Sequence, residues 1–160
     1  MTHSGKSSGT FFALLTLFLF AVLFYLYVDD YFDSGAKFSQ TGDTLLLRAA
    51  RDGHFYADGS INGHPVRFMV DTGATSVALS EGLARQIGLA FGAKGEGMTA
   101  NGLTEQWLTV IDDLRIGEVG MARIPAAILP NMDDDVLLGM AFLRHFDWQQ
   151  KDGELRLSPK

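Results

Sequence analysis

The sequence predicts a mostly β domain that follows a single hydrophobic helix, and three observations support this prediction. An uncharged apolar run covers residues 11–28. Beyond about Thr44, short apolar runs alternate with Asn-Gly and Asp-Gly pairs, which favour tight hairpin turns. One of these runs, residues 68–70, leads directly into a carboxylate, Asp71, and a second apolar run follows a few residues later.

Length and composition exclude several classes of function. The chain has 160 residues, a formal net charge of −6 and no cysteine. This length favours one globular domain. Because the chain is acidic and has no Lys/Arg cluster, we expect no nucleic-acid partner. The lack of cysteine excludes disulfides, thiolate zinc sites and cysteine nucleophiles.

The apolar run over residues 11–28 predicts a membrane-spanning helix. As a helix it is about 27 Å long, which is close to the roughly 30 Å of a bilayer hydrocarbon core. The alternative is a cleaved signal peptide. Against it, the run is long for a signal core, and the bulky residues Leu26, Tyr27 and Val28 stand where a cleavage site needs small ones. We therefore expect a retained anchor in contact with the lipid bilayer.

The charges around this run predict its orientation. Lys6 and the amino terminus precede it, whereas Asp29, Asp30 and Asp33 follow it. Positive charge tends to stay on the cytoplasmic side of a membrane. We therefore expect the amino terminus inside and the globular part outside.

These features divide the chain into four segments. The segment after the apolar run is polar and contains glycine and serine, which is typical of a tether. The predicted segments are a cytoplasmic tail (1–10), a transmembrane anchor (11–28), a linker (29–43) and a globular domain (44–160).

Within the globular domain, turn signals separate the predicted strands. Ser80 is the predicted N-cap of a helix over residues 80–89. The glycine-rich residues 92–97 predict a mobile loop. Predicted strands cover residues 54–61 with an interruption at Asp58-Gly59, 66–70 after Asn62-Gly63, a hairpin around Asn101-Gly102, 107–111, 114–116, 126–129, and 146–150 and 154–157 around Asp152-Gly153.

The segment Asp71-Thr72-Gly73 is the strongest candidate for chemistry. A carboxylate at the end of a buried strand costs free energy unless it is paired, hydrogen-bonded or protonated. Such positions are enriched in functional groups. The alternative is an ordinary turn in which the Asp caps backbone amides. Apolar runs on both sides argue against that alternative, because a surface turn needs no such burial.

A second segment, Leu138-Gly139, follows more than sixty residues later and leads into the helix-like residues 140–143. Together with the Asp71 segment, it resembles the retropepsin-like aspartic proteases, and within them the membrane-anchored bacterial branch. The resemblance covers about residues 45–157. It implies a closed β barrel with one or two short helices. It also implies hydrolysis of polypeptide substrates without metal or cofactor, by a homodimer. The anchor would then lie in the bacterial inner membrane and the protease domain in the periplasm.

The resemblance also implies roles for individual residues. Asp71 matches the catalytic aspartate. The supporting loop residues are Thr72, which cross-links the two active-site loops, Gly73, which lets the loop turn close to substrate, and Ala74, where many relatives carry a Ser or Thr that hydrogen-bonds the carboxylate. The flap over the substrate matches Ala100, Asn101 and Gly102, and the loop packed under the catalytic loop matches Leu138 and Gly139. Viral members have an Ile-Gly-Gly type of flap tip in place of Ala-Asn-Gly.

The implied chemistry requires two carboxylates. Two such groups a few ångströms apart share one proton. The ionised one takes a proton from the attacking water, and the protonated one donates a hydrogen bond to the substrate carbonyl. Because this chain offers one Asp-Thr-Gly, a twofold partner must supply the other.

Two alternatives come from other classes of protein. The domain could be a catalytically silent module that holds an extended peptide in the same groove. It could also be a structural single-pass membrane protein with an incidental Asp-Thr-Gly, although that leaves Leu138-Gly139 unexplained. Other candidate sites are weak. The histidines His54, His64 and His145 lack the spacing of metal ligands, and the acidic residues 133–135 indicate a solvated loop.

Overall fold

The computed structural model describes residues 7–32, 38–99, 102–132 and 135–160. The chain divides into two compact units, with the boundary between residues 35 and 36. The first contains helix α1 and the second contains the β domain. Residues 1–6 of the predicted tail and 33–37 of the predicted linker lie outside the described residues.

Helix α1 spans Ser7–Phe32 and includes the whole apolar run over residues 11–28. Every side chain from residue 12 to residue 25 is exposed. Across the described parts of the chain, no helix combines the length and the hydropathy needed to cross a membrane.

The second unit contains strands and two short helices. In chain order they are β1 (Phe38–Thr41), β2 (Thr44–Arg48), β3 (Tyr56–Ile61), β4 (His64–Val70), β5 (Val77–Ser80), α2 (Glu81–Gln86), β6 (Lys94–Thr99), β7 (Gly102–Ile116), β8 (Val119–Leu129), β9 (Val136–Leu138), α3 (Met140–Leu143), β10 (Phe146–Lys151) and β11 (Glu154–Pro159). The prediction of a mostly β domain with short helices is confirmed.

The strands form two sheets. The smaller one has the order β1-β2-β11-β10 and the larger one the order β3-β4-β9-β5-β8-β7-β6. In the larger sheet β4–β9 and β5–β8 are parallel, and the other pairs are antiparallel. Two residue pairs also join β3 to β7, which links the first strand of the order to a strand near its end. The described strands thus form two sheets with this additional pairing, and the closed barrel stays a prediction.

Both sheets contribute to one hydrophobic core. In the smaller sheet, alternate residues Leu45 and Leu47 of β2 and Leu155 and Leu157 of β11 are buried. They belong to the same cluster as the buried side chains of the larger sheet. Alternation of buried and exposed residues along a strand gives each sheet one apolar face, and burying both faces together stabilises their packing.

The hairpin turns follow the prediction. Asn62 and Gly63 have φ values of 50° and 80°, and Asp152 and Gly153 have 51° and 75°. Positive φ at both central residues is the requirement of a type I′ turn, which explains the Asn-Gly and Asp-Gly pairs.

Some predicted boundaries were wrong. Strand β3 continues through Asp58-Gly59, because these residues pair with Arg67 and Val66 of β4. Gly59 lies against the carbonyl of Arg115, where a Cβ would collide. Strand β7 is continuous across the two strands predicted over 107–111 and 114–116. The predicted mobile loop over residues 92–97 includes the start of β6, whose pairing with β7 orders it.

Two further differences concern helix and strand ends. Ser80 is the N-cap of α2, as predicted, and its Oγ accepts a hydrogen bond from the backbone N of Leu83 at 3.1 Å. The helix ends earlier than predicted, at Gln86, because Gly88 adopts φ 71° and stops it. Strand β1 lies within the segment predicted as a linker, where it pairs with β2.

Candidate active site

The Asp71 loop connects two strands that are not neighbours in the sheet. Residue 71 follows the last residue of β4, and β5 begins at residue 77. Strand β9 lies between them, parallel to β4 and antiparallel to β5. The loop over residues 71–76 must therefore cross the end of β9, which brings it onto Leu138 and Gly139.

Backbone hydrogen bonds hold the start of this loop. The N–H of Asp71 donates to the carbonyl of Leu138 at 3.3 Å, which extends the β4–β9 pairing by one residue. The N–H of Ala74 donates to the carbonyl of Asp71, also at 3.3 Å, and closes a turn. The loop therefore reverses direction directly after the carboxylate.

The first turn of α3 holds the rest of the loop. The N–H of Met140 donates to the carbonyl of Ala74 at 2.8 Å, and the N–H of Ala141 donates to the carbonyl of Thr75 at 2.9 Å. The first N–H groups of a helix have no partner within the helix, so these bonds satisfy the helix amides as well as the loop carbonyls.

Gly139 makes this contact possible because it has no side chain. A Cβ at Gly139 would meet the carbonyl oxygen of Ser76 and, at 2.6 Å, that of Ala74. The predicted packing of Leu138-Gly139 against the Asp71 loop thus corresponds to a close contact between two backbones.

Asp71, the first residue of this loop, is half-buried. Its Oδ1 accepts a hydrogen bond from the N–H of Gly73 at 2.8 Å. A Cβ on Gly73 would lie 3.1 Å from that oxygen, so a glycine suits the position. Thr72 and Gly73 are exposed and Ala74 is half-buried. One oxygen of the Asp71 carboxylate is therefore held by a hydrogen bond. The next side chain of the loop, that of Thr72, is exposed.

A cleft of about 290 Å³ opens beside Asp71. Its walls come from the Asp71 loop, from the segment before β3, from α3 and from the β10–β11 hairpin. The lining residues are Gly53, His54, Phe55, Val70, Asp71, Thr72, Leu143, Trp148, Gln150, Leu155 and Leu157.

Hydrogen bonds order the wall that contains His54. Asp52 accepts a hydrogen bond from Tyr56 Oη at 2.7 Å and one from the backbone N of His54 at 2.9 Å. The Tyr56 hydroxyl and then the His54 N–H hold the pKa of Asp52 below its usual value. Burial, and then the Asp52 carboxylate, raise the pKa of Tyr56. The guanidinium of Arg67 lies 4.0 Å from the centre of the Tyr56 ring.

The predicted flap corresponds to the end of the β6–β7 hairpin. Ala100 and Asn101 lie outside the described residues, and Gly102 is the first residue of β7, with φ 101°. Two large apolar side chains near this end are exposed, Met98 at 77% and Leu103 at 70%, and they are paired across the strands.

The sequence analysis missed most of the residues that line the cleft, among them His54, Trp148 and Gln150. His54 was considered as a metal ligand and as the start of a strand, and Trp148 and Gln150 only as parts of a hairpin. A signal was present in the last hairpin, because Trp148 and Gln150 alternate with Asp147 and Gln149 and so share one face of β10. That this face meets Asp71 is a long-range contact that no local pattern contains.

Comparison with known proteins agrees with this geometry. The family of gag-polyprotein putative aspartyl proteases matches residues 57–145, which is more than half of the chain, and the chain belongs to this family. A crystal structure of a retropepsin-like aspartic protease from Rickettsia conorii is similar, with a TM-score of 0.59 and 27% sequence identity. The similarity covers 76% of this chain and 94% of that one. The retropepsin-like family and fold expected from the sequence are confirmed.

Two curated bacterial relatives are also similar, and both are named as uncharacterized proteins. One, from a Sinorhizobium species, is 31% identical over 124 residues, which is 74% of this chain and 53% of the relative. The other, from Rickettsia prowazekii (strain Madrid E), is 31% identical over 121 residues, 73% of this chain and 51% of the relative. The chain thus spans about half the length of these relatives.

The contact at Gly139 leads to a prediction about stability. Gly139→Ala places a methyl group against two carbonyl oxygens, so we expect it to destabilise the fold by roughly 1–3 kcal/mol. Urea unfolding of the full-length chain measures this change. Gly95→Ala is the control, because a Cβ there meets nothing within 4 Å. Equal stability of the two variants would contradict the close contact.

The wall of the cleft leads to a prediction about pH. Tyr56→Phe removes the main hydrogen bond to Asp52, so the pKa of Asp52 should rise toward its usual value. A lowered pKa stabilises the fold above the pKa of the unfolded chain, and this stability is lost as the pH falls through the folded value. The variant should therefore lose less stability on acidification. An NMR titration of the Asp52 carboxyl carbon measures the shift of this pKa, and Tyr25→Phe is the control. An unchanged pKa of Asp52 in Tyr56→Phe would refute the prediction.

Proposed function

We propose that this chain is an aspartic endopeptidase that hydrolyses peptide bonds in polypeptide substrates. The observation that carries the proposal is the position of Asp71. It lies on a loop fixed by Leu138 and by the start of α3, and it opens on a cleft. Membership of an aspartyl protease family supports the same reaction.

The reaction needs a second carboxylate, which we assign to a second copy of the chain. Two facing Asp71 side chains would share one proton and titrate as a pair. The ionised one removes a proton from water as the water attacks the peptide carbonyl, and the protonated one donates to the carbonyl oxygen. Thr72 supports this arrangement, because its exposed position beside Asp71 leaves it available to the loop of a partner.

The β6–β7 hairpin suits the role of a flap over the substrate. Exposed apolar side chains such as Met98 and Leu103 lose water contact when a peptide lies against them. An extended peptide in such a groove presents alternate side chains to opposite walls. We expect these two residues to affect substrate binding, and the two facing Asp71 carboxylates to carry out the chemistry.

The proposed reaction predicts the effect of Asp71→Asn. The amide has nearly the same shape as the carboxyl group but cannot take a proton from water, so cleavage should fall by at least about a hundred-fold. The measurement uses a fluorogenic peptide library and the full-length chain in detergent. Asp112→Asn, which removes an exposed charge elsewhere, is the control. Equal cleavage by Asp71→Asn and the parent would disprove a catalytic role. Peptide binding without Asp71-dependent cleavage would favour the silent binding module.

Mixing the two chains tests whether the site is shared. An excess of the Asp71→Asn chain should capture parent chains in mixed dimers that contain one carboxylate. The activity per parent chain should then fall as the variant is added. A constant activity would show that a single chain contains the complete site.

We also propose that helix α1 anchors the enzyme in a bacterial inner membrane, with the protease domain in the periplasm. The support comes from the uncharged run over residues 11–28 and from the acidic residues that follow it. Apolar side chains are exposed around the helix from residue 12 to residue 25. A helix that is apolar on all sides requires burial in protein or lipid.

This topology predicts the result of proteolysis on intact spheroplasts. Added protease should digest the domain while a cytoplasmic control protein survives, because the domain lies outside the inner membrane. The mature protein should also retain residues 11–28, which amino-terminal sequencing measures. A protected domain would contradict the orientation, and a mature chain that begins after Val28 would contradict the anchor.

A further inference from the structure

His54 lies across the β3–β4 strand pair from Asp71. The N–H of Val70 donates to the carbonyl of Phe55 at 2.9 Å, which continues the antiparallel register of β3 and β4 by one residue. In the same register the next two residues, His54 and Asp71, stand opposite one another. Both line the cleft described above. A peptide that reaches Asp71 in this cleft therefore passes close to His54.

A closed turn fixes the backbone of His54. The N–H of Ala50 donates to the carbonyl of His54 at 2.8 Å, and the N–H of Gly53 donates to the carbonyl of Ala50 at 3.0 Å. Gly53 adopts φ 85°, a conformation that glycine reaches without strain. The imidazole is therefore presented to the cleft from an ordered turn.

Asp52 holds one edge of the imidazole ring. Its Oδ2 lies 3.4 Å from Nδ1 of His54. The same carboxylate accepts hydrogen bonds from the backbone N of His54 and from Tyr56 Oη, so both of its oxygens are used within the wall of the cleft. The second ring nitrogen of His54, Nε2, lies on the opposite edge of the ring. Pairing with Asp52 therefore leaves Nε2 available to a substrate.

The composition of the cleft makes the charge of His54 important. Among the described residues that line the cleft, His54 and Asp71 are the ionisable ones, and His54 is the one that can be positive. A protonated imidazole donates from both nitrogens, so Nε2 offers a charged donor while Asp52 complements the charge at Nδ1. The substrate group that matches such a donor is a carboxylate.

We propose that His54 determines substrate specificity by binding an acidic side chain of the peptide close to the cleaved bond. This assignment rests on the proposed function, because it names a substrate feature for the same cleft. An extended chain rises about 3.3 Å per residue, so the acidic residue should lie within about two residues of the cleaved bond. Asp52 is a positioning residue, since it contacts His54 and does not line the cleft.

Matched peptides test this specificity. Each pair of fluorogenic peptides differs only by Glu or Gln at one position near the cleaved bond, and is cleaved by the full-length chain in detergent at about pH 5.5. In general, glutamate side chains are largely ionised and imidazoles largely protonated at this pH. The His54 side chain is 55% exposed, which weakens the interaction. At one position kcat/KM should still favour Glu roughly five-fold. Equal cleavage, or a preference for Gln, at every position would overturn the proposal.

Variants at residue 54 separate charge from packing. His54→Gln keeps a polar side chain but removes the cation, so the preference for Glu should disappear. His54→Arg restores a cation and should restore the preference, which a purely structural role of His54 would not explain. His64→Gln is the matched control, because His64 is an exposed histidine that does not line the cleft. A preference that persists in His54→Gln, or one that His64→Gln abolishes equally, would overturn the role of His54.

Asp52→Asn tests the positioning of the ring. The amide oxygen can still accept one hydrogen bond, but the negative charge beside Nδ1 is lost. The preference for Glu should fall toward the value of His54→Gln. An unchanged preference would overturn the positioning role of Asp52.

A binding measurement separates this inference from the enzymatic proposal. The full-length Asp71→Asn chain is immobilised in detergent and incubated with the Glu and Gln peptides, and mass spectrometry quantifies the peptides that it retains. Stronger retention of the Glu peptides that His54→Gln abolishes, without Asp71-dependent cleavage by the parent, would support the role of His54 and overturn the enzyme. Asp71-dependent cleavage with no preference for Glu would support the enzyme and overturn the role of His54.

Discussion

The Asp71 loop depends on one contact between two backbones. The carbonyls of Ala74 and Thr75 accept hydrogen bonds from the first two amides of α3, and Gly139 leaves room for the loop to come close enough. Each partner would be unsatisfied without the other, since the start of a helix has free N–H groups and a loop has free carbonyls. The position of Asp71 follows from this contact, because its loop has only six residues between β4 and β5.

The order of the strands explains why this contact is required. Strand β9 has only three residues, yet it separates β4 from β5 in the sheet. Any chain that leaves β4 for β5 must pass over the end of β9, and it carries its backbone polar groups into a crowded region. A side chain at Gly139 would push the loop outward. The Asp71 carboxylate, which accepts its hydrogen bond from the Gly73 amide of the same loop, would move with it.

The sequence predicted the local parts of this arrangement and missed the non-local ones. Asn62-Gly63 and Asp152-Gly153 specify their turns by backbone conformation, which is a property of the residues themselves. The continuity of β7 through Asp112 and Asp113 depends instead on pairing with β8, where Asp113 lies opposite Ala122. Pairing likewise overrides the glycines of β6. His54 and Trp148 reach the Asp71 cleft through tertiary contacts, and no spacing in the sequence indicates this.

Under the proposed function each chain supplies one half of the site, and a second copy has to supply the other half. An anchor confines copies to a plane and raises their effective concentration, so a modest interface is sufficient for association. An open strand edge is suited to this role, and it is also a site of uncontrolled aggregation. Charges on the edge address both problems when they are complementary in one register and unmatched in others. Strand β10 has exposed charges of both signs, at Asp147 and at Lys151.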